Sequence, residues 1–232
     1  MRRVVLLACG LALLLGVLVG CARGEEPGPT STLGPLQTAS SPSAEPTPED
    51  SIACDLLTSK ERRSVAGRDL KIVSPAAAPP GIDQCRWVDT LKSAAPSTVQ
   101  VTAAKAGPWA ERNLPSLVDF VLQGGQLDEK GNRKLVSLKK ELVRQDDLSN
   151  TRGCQMFAEL AKAAGRKNVK ELVTLGSING QPSAQAQICS KGIHATVSYA
   201  EADLTPTPIL GQAVLRLVRV AHGRAVKIGY AD

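Results

Sequence analysis

Apolar positions along the chain change rhythm twice. From Val4 to Gly20 they run together without a charge or strong polar group. From Ala22 to Ser51 large apolar side chains almost vanish, and beyond Ile52 they return with regular periods. Val99, Val101 and Ala103 alternate with Gln100 and Thr102, and Ile193, Ala195, Val197 and Tyr199 alternate with His194, Thr196 and Ser198. A period of two is that of a half-buried strand. Cys85 and Trp87 share one face of a further strand, and Lys191-Gly192 makes a tight turn back from the segment ending Ala186 to Cys189.

Helical spacing appears elsewhere. Thr58-Ser59-Lys60-Glu61 is a capping box, with Gly67 placed to end a short helix. Leu114, Leu117, Val118, Val121 and Leu122 form one amphipathic stripe that stops at Gly124-Gly125. Phe157, Leu160, Ala161 and Ala164 follow Cys154 and stop at Gly165. Thr207-Pro208 opens a last helix carrying Ile209, Leu210, Ala213, Val214, Leu217, Val218 and Ala221, expected to stop at Gly223. Leu135, Leu138 and Leu142 hint at a helix within 126–150, the stretch between the two halves. Both halves read as cysteine, helix, strand, cysteine on a strand, strand, helix. The expected fold class is α+β: antiparallel sheet with amphipathic helices on one face, built as two related units over 52–125 and 151–232, or as one sheet formed from both.

The N-terminal run has the form of an export signal. Arg2 and Arg3 precede it, and it closes on Leu18-Val19-Gly20-Cys21. A small residue before the cut and a cysteine after it are what lipoprotein processing needs, since the new N-terminal thiol takes a diacylglycerol. Residues 1–20 are therefore expected to be a lipoprotein signal peptide and Cys21 the lipidated residue. Each buried CH₂ contributes about 0.8 kcal/mol, so two or three acyl chains, palmitate among them, hold a protein firmly to a leaflet. Residues 21–51 then form a tether, with six prolines and nine Ser/Thr between 22 and 51. The expected location is the outer face of the cytoplasmic membrane, with 52–232 as the extracytoplasmic domain.

Charge divides at the same boundary. Residues 22–51 hold one Arg and five acids, whereas 52–232 hold 25 basic and 17 acidic residues. A basic domain is attracted to an anionic lipid surface, or to an anionic wall polymer or acidic envelope protein. With only six aromatic residues in 232, a base-stacking nucleic-acid surface is excluded, as is a sugar site paved with rings.

Six cysteines include Cys9 in the signal and Cys21 at its end. The other four allow three pairings in an oxidising compartment. Nearest-neighbour pairing, Cys54–Cys85 and Cys154–Cys189, closes one loop in each half, each contributing roughly 3.5–4 kcal/mol in the chain-entropy view. No C-x-x-C pair or adjacent His points to metal, and no metal or other cofactor is expected.

Chemistry-bearing motifs are sparse. Ser137-Leu138-Lys139-Lys140 matches S-x-x-K without S-D-N or K-T-G, and its basic amphipathic setting is that of a solvated helix face. His194 lies on the polar side of a strand, so it is expected to face solvent or hydrogen-bond, and His222 is expected to cap the last turn of a helix. Trp87 reads as a core ring packed near a disulfide. Asp128-Glu129 and Asp146-Asp147 read as solvated charges in turns. No catalytic residue is assigned, and an enzyme is not expected.

Cys54-x-Leu56-Leu57-Thr58-x-x-Glu61, followed about thirty residues later by Cys85-x-Trp87, resembles the actinobacterial lipoprotein family catalogued as domain of unknown function 3558. The similarity covers roughly 52–103. It implies a compact extracytoplasmic α+β domain with paired cysteines, and no defined activity. The functional expectation is a membrane-anchored, non-enzymatic binding or accessory module of the envelope. The alternatives are a carrier of lipid or small apolar ligands, and an envelope hydrolase with His194 as base.

Overall fold

In a computed structural model, residues 51–74, 78–123, 127–144, 147–178 and 180–230 are described. The signal peptide, Cys21, the tether up to residue 50, Gly124-Gly125 and Asp146 lie outside them. A 3-10 helix at Ile52–Leu56 leads into α1 (Ser59–Ala66), β1 (Ile72–Val73), β2 (Ile82–Val88), β3 (Thr98–Lys105) and α2 (Ala106–Gln123). Next come α3 (Glu129–Arg144), α4 (Asn150–Ala163), β4 (Glu171–Ile178), β5 (Gln181–Ser190), β6 (Ile193–Ala200) and α5 (Pro208–Ile228). All six strands form one antiparallel sheet in the order β1-β2-β3-β6-β5-β4. The fold is α+β and disulfide-stapled, and the two halves form one sheet through the central β3–β6 pairing.

The expected strand alternation is observed, and it sorts side chains onto two differently covered faces. Val99, Val101 and Ala103 of β3, Ile193, Ala195, Val197 and Tyr199 of β6, and Cys85 and Trp87 of β2 belong to one core. Val214, Leu217, Val218, Ala221 and Ala225 of α5 close over it, with Ala53, Leu56 and Leu57 beside them. Ile82, Ala104, Cys189 and Leu172, from the opposite sheet face, enter a second core with Trp109, Leu114 and Val118 of α2 and Met156, Phe157 and Leu160 of α4. Leu135, Leu138 and Leu142 of α3 complete this second core, so the helix hinted at in 126–150 is present. The helices therefore occupy both faces rather than one. Each half places its leading helical segment on one face and its closing helix on the other, so each core needs helices from both halves.

The two disulfides are Cys54–Cys85 and Cys154–Cys189, with Cα separations of 5.0 and 5.1 Å. The first joins the leading 3-10 helix to β2 within the first core. The second joins α4 to β5 within the second core, on the opposite sheet face.

Local signals explain most boundaries. The Thr58 N–H donates to Glu61 Oε2 at 2.7 Å and the Glu61 N–H donates to Thr58 Oγ1 at 3.3 Å, completing the capping box. Glu61 also takes two bonds from the Arg224 guanidinium, at 2.6 and 2.8 Å, which ties α1 to α5. Burial by itself would raise the Glu61 carboxyl, but these bonds outweigh it and leave the group below its ordinary value. Lys191 and Gly192, with φ of 51° and 77°, form the predicted two-residue turn between β5 and β6.

Two boundaries differ from the sequence reading. The last helix does not stop at Gly223 but continues to a left-handed cap at Gly229, φ 85°. The extra turns bury Ala225 completely, which outweighs the roughly 1 kcal/mol cost of an internal glycine. Helix α2 starts at Ala106, eight residues before the stripe at Leu114, with no capping side chain of its own. Its first N–H groups are taken instead by Gly192 O at 2.9 Å and Asn150 Oδ1 at 3.2 Å.

That start is also where α2 and α4 nearly touch. A Cβ at Gly153 would lie 2.2 Å from Ala106 O, and one at Gly107 would lie 1.8 Å from Leu148 O. Both obstacles are backbone and cannot rotate aside. Gly153→Ala is therefore expected to lower stability by about 3 kcal/mol through overpacking. Gly223→Ala, whose Cβ meets nothing within 4 Å, should raise it by about 0.5–1 kcal/mol. Urea unfolding of the two variants, referenced to the unsubstituted chain, measures both.

Candidate functional site

Between the α2–α4 contact and the far end of the sheet lies a stretch of the second face that contributes only Leu172 to the apolar core beneath those helices. Register defines it as two rows across five strands. One row is Arg86–Gln100–Ser198–Gln185–Thr174, and its neighbour is Gln84–Thr102–Thr196–Gln187–Leu172. Eight of these ten side chains are amides or hydroxyls, one is apolar and one is charged. A strand face meant only for water usually carries Lys and Glu, and this chain is 22% charged. Here glutamine stands where charge would be expected, at four positions on three strands, β2, β3 and β5. Most of these side chains are half-buried, with Ser198 and Gln187 buried. Beyond them the row Val88–Thr98–Ala200–Ser183 is buried again, so the polar rows lie in a band bounded at each end.

His194 marks the helix-covered end of the band. It does not face solvent: only 1% of it is exposed, and it lies beneath Trp109 with ring centroids 3.4 Å apart. Phe157 approaches both rings edge-on. The alternative expectation, a hydrogen-bonding His, holds: its Nε2–H donates to Gln187 Oε1 at 3.2 Å. Burial, followed by the nearby His222, pushes the imidazole well below its ordinary value, so it is neutral. The bond orients the Gln187 amide, leaving both of its N–H donors and one lone pair of its oxygen for other partners.

His222 is not a terminal cap either. It sits within α5, 6% exposed, with Nε2 3.1 Å from Ser190 O and 3.3 Å from Ser190 Oγ. A ring N–H given to that carbonyl cannot also act as the acceptor that would activate the Ser190 hydroxyl. The contact instead fastens α5 to the β5–β6 turn. Burial lowers the His222 imidazole, and backbone bonds to Ser190 and Ile193 oppose that shift.

Trp87 is a core ring, 3% exposed, with the Arg62 guanidinium 4.3 Å from its centroid. Ser137 and Lys140 lie on the exposed side of α3. Asp128 is more than a solvated charge, because its Oδ1 accepts the Gly131 N–H at 2.6 Å and caps α3, while Glu129 is exposed in the first turn. Among the described residues no group of three or more His, Cys, Asp or Glu could hold a metal ion, and no helix is long and apolar enough to cross a membrane. Compared with family models, curated proteins and solved structures, the chain matches none.

The polar rows are not legible as a unit in the sequence. The signal lies in the alternating Gln and Thr positions, but only register shows that five strands place them side by side.

Both imidazoles are held below their ordinary value of 6.5 in the fold, His194 well below it, mainly by burial. The unfolded state therefore binds more protons as pH falls, so their stabilisation is complete above 6.5 and declines below it. The slope for each is about 1.4 kcal/mol per pH unit until its folded value is reached. Glu61, Glu171 and Glu201, all lowered from 4.5, add their own loss only at lower pH. Just below pH 6.5, His194→Phe should remove about half of the slope while keeping a ring against Trp109, and it should remove the larger part at lower pH, where the less depressed His222 has already protonated. Denaturant unfolding as a function of pH measures it.

Proposed function

We propose that the protein is an envelope lipoprotein, held to the outer face of the cytoplasmic membrane through Cys21, that binds rather than transforms its ligand. The observation that carries the binding reading is the band of amide and hydroxyl side chains across β2, β3, β6, β5 and β4. Side-chain amides both donate and accept, so a neutral row of them suits a ligand rich in peptide or hydroxyl groups. Wall glycopeptide and an extended segment of an envelope protein are of that kind. The lipobox at Gly20-Cys21, the Pro/Ser/Thr-rich stretch after it and the two disulfides support export. On the same grounds we place the chain with the actinobacterial lipoproteins that its Cys54-to-Trp87 pattern resembles. Catalysis through His194 has little support, since that ring is buried under Trp109, with its Nε2–H given to Gln187 and its basic Nδ1 buried away from solvent.

The carrier reading has one observation of its own. A groove of about 1040 Å³ runs beside α3, floored by Val121, Leu127, Leu135 and Leu138 and rimmed by Lys130, Lys134, Lys162 and Arg166. Asp128, Glu141 and Glu159 line it as well, so charge of both signs surrounds the apolar residues, which suits an amphiphile better than a wholly apolar molecule.

Titration of soluble wall glycopeptide fragments, followed by side-chain amide NMR, tests the binding reading. Gln100→Ala combined with Gln185→Ala should weaken binding at least ten-fold without moving the thermal midpoint by more than about 2 °C, the scale set by roughly 1 kcal/mol in a domain of this size. The fragments should be recovered chemically unchanged. Equal affinity in the double variant would remove the sheet face from the site.

A further inference from the structure

The face of α3 turned away from the second core carries an unusual pairing of features. Val136 and Val143, seven residues apart, are 43% and 72% exposed. The helix holds Lys130, Arg133, Lys134, Lys139, Lys140 and Arg144 against Glu129 and Glu141. At helical spacing Lys140 falls between the two valines, with Lys139 and Arg144 to either side. Leu122 of α2 adjoins them, and together they line a shallow crater of about 450 Å³ whose one acidic member is Asp119. Asp119 is engaged by Lys139 at 2.6 and 2.7 Å. Lys140 and Arg144 make no ion pair among the described residues.

Exposed valines ringed by cations cost solvation in water and gain in one environment above others, the boundary between phospholipid headgroups and acyl chains. We propose that this face of α3 rests on an anionic phospholipid surface, as a second contact beside the lipid anchor. The inference rests on the anchored reading, which supplies the membrane. Reach is sufficient: thirty residues separate Cys21 from Ile52, up to about 100 Å of chain. A domain of this size has a radius of gyration of roughly 16 Å. A soluble polyanion would satisfy the cations but leave the valines and Leu122 wet, which is why lipid is the favoured occupant. Docking here turns α3 toward the membrane and leaves the polar sheet band, on a different part of the domain, for its ligand.

Val143→Trp in the mature full chain reports the contact. The protein is reconstituted into vesicles of phosphatidylcholine alone or with phosphatidylglycerol, each including lipid brominated high on the acyl chain. With phosphatidylglycerol at low salt, the new tryptophan should be quenched beyond the background from buried Trp87 and Trp109. High salt should reverse this, and adding Lys140→Gln and Arg144→Gln should lower the docked-to-undocked ratio roughly five-fold for each cation removed. Quenching that is absent, or the same without phosphatidylglycerol, overturns the proposal. So does quenching abolished by equimolar soluble polyglutamate but not by salt, since that assigns the face to a polymer. Near-UV circular dichroism shows that each variant is folded. Acyl mass on Cys21 is measured on the same sample, so an acylated chain without quenching fails the α3 contact alone, and an unacylated chain fails the anchor.

Discussion

Covering both faces of one sheet with helices drawn crosswise from two halves is the constraint on which the rest of this structure depends. The first half sends its leading 3-10 helix and α1 to one face and α2 to the other. The second half does the reverse, sending α4 to the face of α2 and α5 to the face of the 3-10 helix. Neither half could bury its own apolar positions alone. The disulfides reinforce this arrangement in the least redundant way, one on each face, each joining a leading helical segment to the second strand of its own half. Loop closure of this kind acts mainly on the unfolded chain. It suits a core short of large aromatics, whose interior is mostly Ala, Val and Leu.

Much of this was legible in the sequence because it is local. The capping box at Thr58, the alternation in β3 and β6, the Lys191-Gly192 turn and the Thr207-Pro208 start need only nearest neighbours to read. The repeated order of elements pointed to two related units and to paired cysteines. What could not be read depends on partners far along the chain. Helix α2 begins at Ala106 because Gly192 and Asn150 receive its first N–H groups, and no residue near Ala106 announces that. Gly107 and Gly153 look like weak helix positions until the crossing of α2 and α4 shows that nothing larger fits. His194 alternates with apolar residues as a solvent-facing residue would, yet a helix from the other half covers the end of the face that carries it.

The same crosswise covering creates the two surfaces of functional interest. Because the second core takes in the His194 end of its sheet face and, beyond it, only Leu172, a polar band is left toward the far end of the sheet. Because α3 packs onto α2 and α4 rather than onto the sheet, its outer side stands clear of the first core and collects basic charge. Neutral hydrogen-bonding capacity and cationic, partly apolar surface are thus separated on one domain. Under the proposed function, that separation lets the sheet band hold a ligand while α3 lies on a lipid surface. The strip of charge and the strip of amides both follow from which helices the sheet retains and which it leaves outside.

Cysteine connectivity tests this arrangement most directly, since it reports at once on the helix-to-sheet clamps and on the oxidising compartment they need. Mature protein, alkylated under non-reducing conditions and digested, should show no alkylated thiol among Cys54, Cys85, Cys154 and Cys189. Its linked peptides should join Cys54 to Cys85 and Cys154 to Cys189. Free thiols at these positions, or a link from Cys54 or Cys85 to Cys154 or Cys189, would contradict it.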